Sequence, residues 1–162
     1  MINIPITILV IAIIWTVFAI ILPFLAIPNH GVRKTEIQKT KQIIQLSKKL
    51  KSKSKDKTLK NIYDYVTKNY TGSEERYKLM NYPKLFKSNV DENLRTPHQF
   101  LACHLQNLII ITLLLNTGQF SATDIKRKET ITHFLTIHQH LTINTGKKKY
   151  KIDPFFKIFK KI

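Results

Sequence analysis

Three residues of this chain have types and an order that suit acyl-transfer chemistry: Cys103, His138 and Asp153. Cys103 is the only cysteine, and it opens a long apolar run, Cys103-His-Leu-Gln-Asn-Leu-Ile-Ile-Ile-Thr-Leu-Leu-Leu-Asn-Thr-Gly118, that reads as a helix. A thiol at a helix N-terminus feels the positive end of the helix dipole and ionises more readily. His138 starts an alternating strand that runs to Asn144, and Asp153 follows the next strand, just before Pro154. An imidazole on a neighbouring strand can take the thiol's proton, and a carboxylate can fix the imidazole's tautomer.

Those residues need elements to hold them. From Leu108 to Leu115 the Cys-led helix is apolar nearly all round, so it should be buried, and Asn116-Thr-Gly118 should end it with glycine as a C-cap. After Gly118 the period shifts towards two. Thr130 to Ile137 is strand-like, and 138–144 and 148–152 read as a hairpin across Asn144-Thr-Gly-Lys147. On the first strand of that hairpin His138, His140, Thr142 and Asn144 face one way, and Gln139, Leu141 and Ile143 the other.

Upstream, Leu59, Ile62, Tyr63, Val66 and Tyr70 fall at helical spacing over 58–70, with Gly72 as the stop. Residues 73–97 read as irregular, broken by Pro83 and Pro97 and pinned to the core by Leu79, Tyr82, Leu85 and Phe86. Thr35 to Leu50 reads as a basic helix that could lie on a membrane or pack onto the domain, followed by a charged linker over 51–57. The terminal Phe155-Phe-Lys-Ile-Phe-Lys-Lys-Ile162 is apolar and basic, which suits either membrane insertion or packing at the core edge, the second being the expected placement.

The first thirty residues stand apart. From Ile4 to Ile27 there is no charge, and a helix of that length would reach roughly 36 Å, against a bilayer core of about 30 Å. The segment before this run lacks Lys and Arg, and no small-x-small cleavage site follows it, so it reads as an uncleaved transmembrane anchor rather than a signal peptide. Arg33, Lys34, Lys39, Lys41, Lys48 and Lys49 follow it, which by the positive-inside rule places the remainder in the cytoplasm. A lone cysteine forms no intramolecular disulfide, in keeping with a reducing compartment. The formal charge of +17 suits an anionic membrane surface; nucleic acid is not the expected partner, because no binding motif accompanies the charge. His98, His104, His133, His138 and His140 do not form a recognised metal-ligand spacing, and neither metal nor cofactor is expected.

Over Leu59 to Pro154 the ordered pattern resembles the transglutaminase-like (transglutaminase-core) superfamily of papain-like thiol enzymes. Asn61-Ile-Tyr-Asp-Tyr-Val-Thr-Lys-Asn69 is similar to the helix preceding the nucleophile, and Cys103 to Gly118 to the Cys-led helix. His138-Gln-His-Leu-Thr-Ile resembles the His strand, and Gly146-Lys-Lys-Lys-Tyr-Lys-Ile-Asp-Pro154 the Asp-Pro strand. The resemblance implies that Cys103 is the nucleophile, His138 the general base and Asp153 the residue that orients it. It also implies attack on an amide or ester carbonyl to form a thioester, resolved by water or by an amine. The oxyanion would need a donor: the backbone N–H of Cys103 is one candidate, and Gln99 or Gln106 a side-chain one. Two positions depart from the family pattern. Phe100-Leu-Ala102 stands where glycine commonly precedes the cysteine, and His140 stands where an aromatic residue is common. His140 is thus an alternative base, with His138 preferred for its distance to Asp153.

The expectation is an α+β papain-like, transglutaminase-core domain with helices first and a small antiparallel sheet after, carried on one N-terminal transmembrane helix. Residues 1–30 would be the anchor, 31–57 a basic juxtamembrane helix and linker, and 58–162 the transglutaminase-like domain. The chain would then be a single-pass membrane protein that meets the bilayer through residues 4–27 and acts on a protein or peptide substrate as a peptidase, amidase or transamidase. The alternative is a catalytically inactive transglutaminase-like interaction module or a small subunit of a membrane complex.

Overall fold

The fold is seen in a computed structural model that describes residues 5–25, 37–75, 81, 89–132 and 136–162. Among these residues it is α+β, with five α-helices and two sheets. The helices are α1 (Ile6–Leu25), α2 (Lys41–Leu50), α3 (Lys55–Asn69), α4 (Val90–Arg95) and α5 (Cys103–Asn116). Strands β1 (Tyr70–Thr71) and β2 (Gln99–Phe100) form a short parallel pair. The other four, β3 (Ile125–Thr132), β4 (Thr136–Asn144), β5 (Lys149–Asp153) and β6 (Ile158–Lys161), form an antiparallel sheet in sequential order.

The core forms around α5. Ile109, Ile110, Leu113 and Leu114 are wholly buried, packed among Ile43 of α2, Leu59, Ile62 and Val66 of α3, and Leu141, Ile143 and Ile152 of the sheet. Burying each such side chain contributes roughly 1.5–3 kcal/mol, which makes a helix apolar on every side the natural centre of the fold. Gly118 closes α5 in the left-handed conformation, φ 69°, as expected of a C-cap glycine. Gly146, φ 92°, does the same for the hairpin between β4 and β5.

One expectation is overturned. Among the described residues no helix is long and apolar enough to cross a membrane. The transmembrane anchor over residues 1–30, and the single-pass membrane localisation with its cytoplasmic orientation, are corrected accordingly.

Several boundaries also move. Thr40 caps α2 by accepting from the Ile43 N–H at 3.3 Å, so that helix begins later than Thr35. Of its two expected placements it takes the second, with Ile43 in the core and Leu46 and Leu50 packed against it. Ser54 caps α3 by accepting from Lys57 N–H at 3.2 Å, which turns the second half of the expected linker into the helix's first turn. Strand β3 starts at Ile125, and Thr132 pairs with Thr136, so 130–137 joins the ends of two antiparallel strands. A short helix, α4, lies within the stretch read as irregular. Leu79, Tyr82, Leu85, Phe86 and His133 lie outside the described residues. The C-terminal segment packs at the core edge through Phe155, buried, and Phe159, which stacks against Tyr63 and Tyr150.

Candidate active site

Cys103 occupies the first position of α5. The preceding Ala102 has no side-chain hydrogen bond to cap the helix, so the sequence leaves the first N–H groups of α5 open. The approach to this position is fixed by the β1–β2 pair. Leu101 N–H donates to Thr71 O at 3.1 Å, and Gln106 Nε2 donates to both Thr71 O, at 3.0 Å, and Leu101 O, at 2.9 Å.

Strands β4 and β5 supply the other two groups. Their pairing runs from Asn144↔Lys149 to Leu141↔Ile152, so beyond Leu141 the edge of β4 is no longer covered by β5. The N-terminal turn of α5 docks on that open edge. Asn107 Nδ2 donates to Gln139 O at 2.9 Å, and the Gln139 N–H is near enough to the Cys103 sulfur to favour its thiolate.

His138 precedes Gln139. Its Nε2 lies 2.6 Å from Asp153 Oδ2, and both residues are buried, 6% and 3% exposed. The other carboxylate oxygen, Oδ1, accepts from Phe156 N–H at 3.2 Å as the chain turns after Pro154. With Nε2 committed to Asp153, Nδ1 is the ring nitrogen left to hydrogen-bond the Cys103 thiol. Phe156 packs edge-on to the imidazole at 4.7 Å between centroids, and Phe155 lies at 5.7 Å. Gly72 lets this turn come close: a Cβ there would sit 2.5 Å from Phe155 O, the carbonyl that accepts from Ser73 N–H.

The electrostatics follow from this packing. Burial alone would push the Cys103 thiol up. Hydrogen bonds from His104 and His138, the His138 charge and the Gln139 N–H outweigh burial and hold the thiol at about 6. Burial would likewise push His138 down, yet the Asp153 hydrogen bond and the adjacent sulfur raise it to about 9. Between those values the pair is a thiolate beside an imidazolium. Cys103 itself is only partly buried.

The other sequence candidates are placed differently. Gln106 is wholly buried and both its N–H groups are spent on backbone carbonyls, so it braces the loop and has no donor left for an oxyanion. Gln99 is partly exposed, with Nε2 donating to Thr96 Oγ1 at 2.7 Å. His140 faces the same way as His138 but is held down by burial and by Lys151, and the carboxylate is bonded to His138. Sequence reasoning did not single out Asn107, His104 as a thiol partner, or the contact of Gly72 with Phe155. Only Asn107 leaves a trace in the sequence, as an amide one turn after the cysteine. Among the described residues no three His, Cys, Asp or Glu side chains group as metal ligands. No family model, curated protein or solved structure matches the chain.

Proposed function

We propose that the chain is a thiol-dependent acyl-transfer enzyme of transglutaminase-like type, acting on amide or ester bonds. The observation that carries this reading is the buried His138 held between the Asp153 carboxylate and the Cys103 thiol. In this reaction the Cys103 thiolate adds to the substrate carbonyl carbon, and the oxyanion that forms faces the uncapped N–H of Cys103. His138 gives its Nδ1 proton to the departing amine or alcohol, and a thioester remains on Cys103. Water then adds to the thioester while His138 takes a proton from it, and collapse releases the acid and restores the thiolate. An amine in place of water gives transamidation.

One observation favours a second reading. His104, His138 and Asp153 are all nine-tenths or more buried, as they would be in an interaction module that keeps the fold without turning over substrate. The pH dependence of iodoacetamide alkylation at Cys103 separates the two. An enzyme site gives a rate that titrates near pH 6, and His138→Ala returns the thiol towards its ordinary value of 9.0. A low-pKa thiolate is also an intrinsically weaker nucleophile, so the variant should be only about fourfold slower at about pH 7 but about thirtyfold slower at about pH 5.5. A thiol that stays inert until the protein unfolds would leave the module reading.

A further inference from the structure

The register of the four-stranded sheet gathers lysines on the face that carries His138. Antiparallel partners share a face, and Lys126 pairs with Thr142, Thr142 with Lys151 and Lys151 with Lys160, which makes one cross-strand row. The next row along β4 pairs Lys128 with His140, and the row after that pairs Thr130 with His138. Lys126, Lys128 and Lys160 are exposed and Lys151 partly so, whereas Thr142, His140 and His138 between them are buried. The opposite face holds Leu141, Ile143 and Ile152 and is buried against α5.

Among the described residues none of these four lysines has an acidic partner, whereas Lys55, Lys60, Lys148 and Lys157 each pair with a carboxylate. Lys151 and Lys160 stand directly opposite each other, an arrangement that costs stability in a sheet unless an anion lies between. Their field reaches the middle of the face, where burial first, and then Lys151 and Lys128, push His140 below the ordinary imidazole value. The nearest acidic group on this face, Asp153, is buried on His138 and neutralises none of them.

We infer that this sheet face docks an acidic polypeptide, with Lys126, Lys128, Lys151 and Lys160 holding a glutamate- or aspartate-rich segment beside the Cys103–His138 pair. The inference rests on the acyl-transfer reading for its choice of a polypeptide, since the bond that the thiol attacks is then an amide on the chain being held. Steering by such a face raises association rates by about tenfold or more and fades with salt.

The test uses the full chain and a fluorescent oligoglutamate peptide, with oligoglutamine of equal length and single-stranded oligo-dT as comparisons, followed by anisotropy. One variant carries Lys128→Glu, Lys151→Glu and Lys160→Glu; the control carries Lys48→Glu, Lys49→Glu and Lys68→Glu, three exposed helix positions with the same change in net charge. The expected result is oligoglutamate binding that weakens about tenfold or more in the sheet variant and stays intact in the control, with bound peptide shielding Cys103 from iodoacetamide. Lys→Gln changes at the same three sheet positions repeat the measurement should charge reversal unfold the sheet. Equal weakening in both variants would overturn the proposal by reducing it to net charge. Tighter binding of oligo-dT through the same lysines would overturn it in favour of nucleic acid. The alkylation profile of the free protein reads the thiol independently: an inert thiol with intact sheet-face binding sinks the enzyme reading alone, and an activated thiol without binding sinks this one.

Discussion

At the scale of single residues, the folded Cys103–His138 pair favours its proton on nitrogen over sulfur, and that has a consequence for stability. The lowered value of Cys103, taken alone, gives stability that is present above its unfolded value of 9.0 and is lost as pH falls through about 6. The raised value of His138, taken alone, gives stability that is present below 6.5 and is lost as pH rises through about 9. Between 6.5 and 9 the folded pair holds its proton on the imidazole, and the unfolded pair holds it on sulfur. Proton uptake is then the same in both states, and the two slopes cancel. Urea midpoints should therefore stay level across that window while alkylation titrates at its lower edge. Asp153→Asn keeps the shape but removes the charge that supports the imidazolium. The variant's alkylation midpoint is expected to climb from about 6 towards the ordinary thiol value. A profile unmoved by Asp153→Asn would mean that His104 and the Gln139 N–H suffice to hold the thiolate.

At the scale of elements, the arrangement depends on α5 lying against the open edge of β4, and Asn107 is the residue that joins them. Replacing it by leucine keeps the volume but leaves Gln139 O buried without its donor, at a cost of about 1–3 kcal/mol. It also frees the Gln139 N–H from its alignment on sulfur. Asn107→Leu should thus lower the urea midpoint and raise the pH at which Cys103 is alkylated; a change in stability with an unmoved profile would show that the helix start is held by the Thr71–Gln106 bonds instead. This contact also marks what was legible in the sequence. The start of α5 at Cys103, its glycine stop and the tight hairpin after Asn144 could be read because each is dictated by local chemistry within a few residues. The pairing of His138 with Asp153 is less legible: the hairpin register, carried on by one residue, sets Asp153 opposite His140, and His138 meets the carboxylate from two residues further along the same face. Asn107 on Gln139, and Gly72 under Phe155, join residues far apart in sequence, and no periodicity announces them. The linker over 51–57 misled because charge conceals a capped first turn when the cap is a serine among lysines.

For the molecule as a whole, the division of the chain differs from the one its charge pattern suggests. The basic segment before residue 58 is structural: Ile43 is wholly buried in the core, and Asn61 Nδ2 donates to Leu50 O at 3.0 Å. Lys51 Nζ also reaches Thr117 O, at 2.9 Å, where a cation complements the C-terminal end of the α5 dipole. Further upstream, Gln38 Oε1 accepts from the N–H groups of Val90 and Asp91 at the start of α4, and its carbonyl accepts from Asn116 Nδ2. The described side chains of α1 contribute nothing comparable. Ile6 is 79% and Trp15 71% exposed, and none of these described side chains belongs to the core. The functional fold should accordingly begin just before Gln38. A chain starting at Ile37 is expected to unfold within about 0.5 kcal/mol of the full chain and to keep its Cys103 alkylation profile. A chain starting at Ser52 loses Ile43 and all three Gln38 bonds, and should be destabilised by about 2–5 kcal/mol or more, with the thiol profile degrading as α5 loosens. Urea unfolding of the two truncations decides the matter: equal stability would make α2 an appendage, whereas early unfolding of the chain from Ile37 would assign residues 1–36 a part in holding the domain.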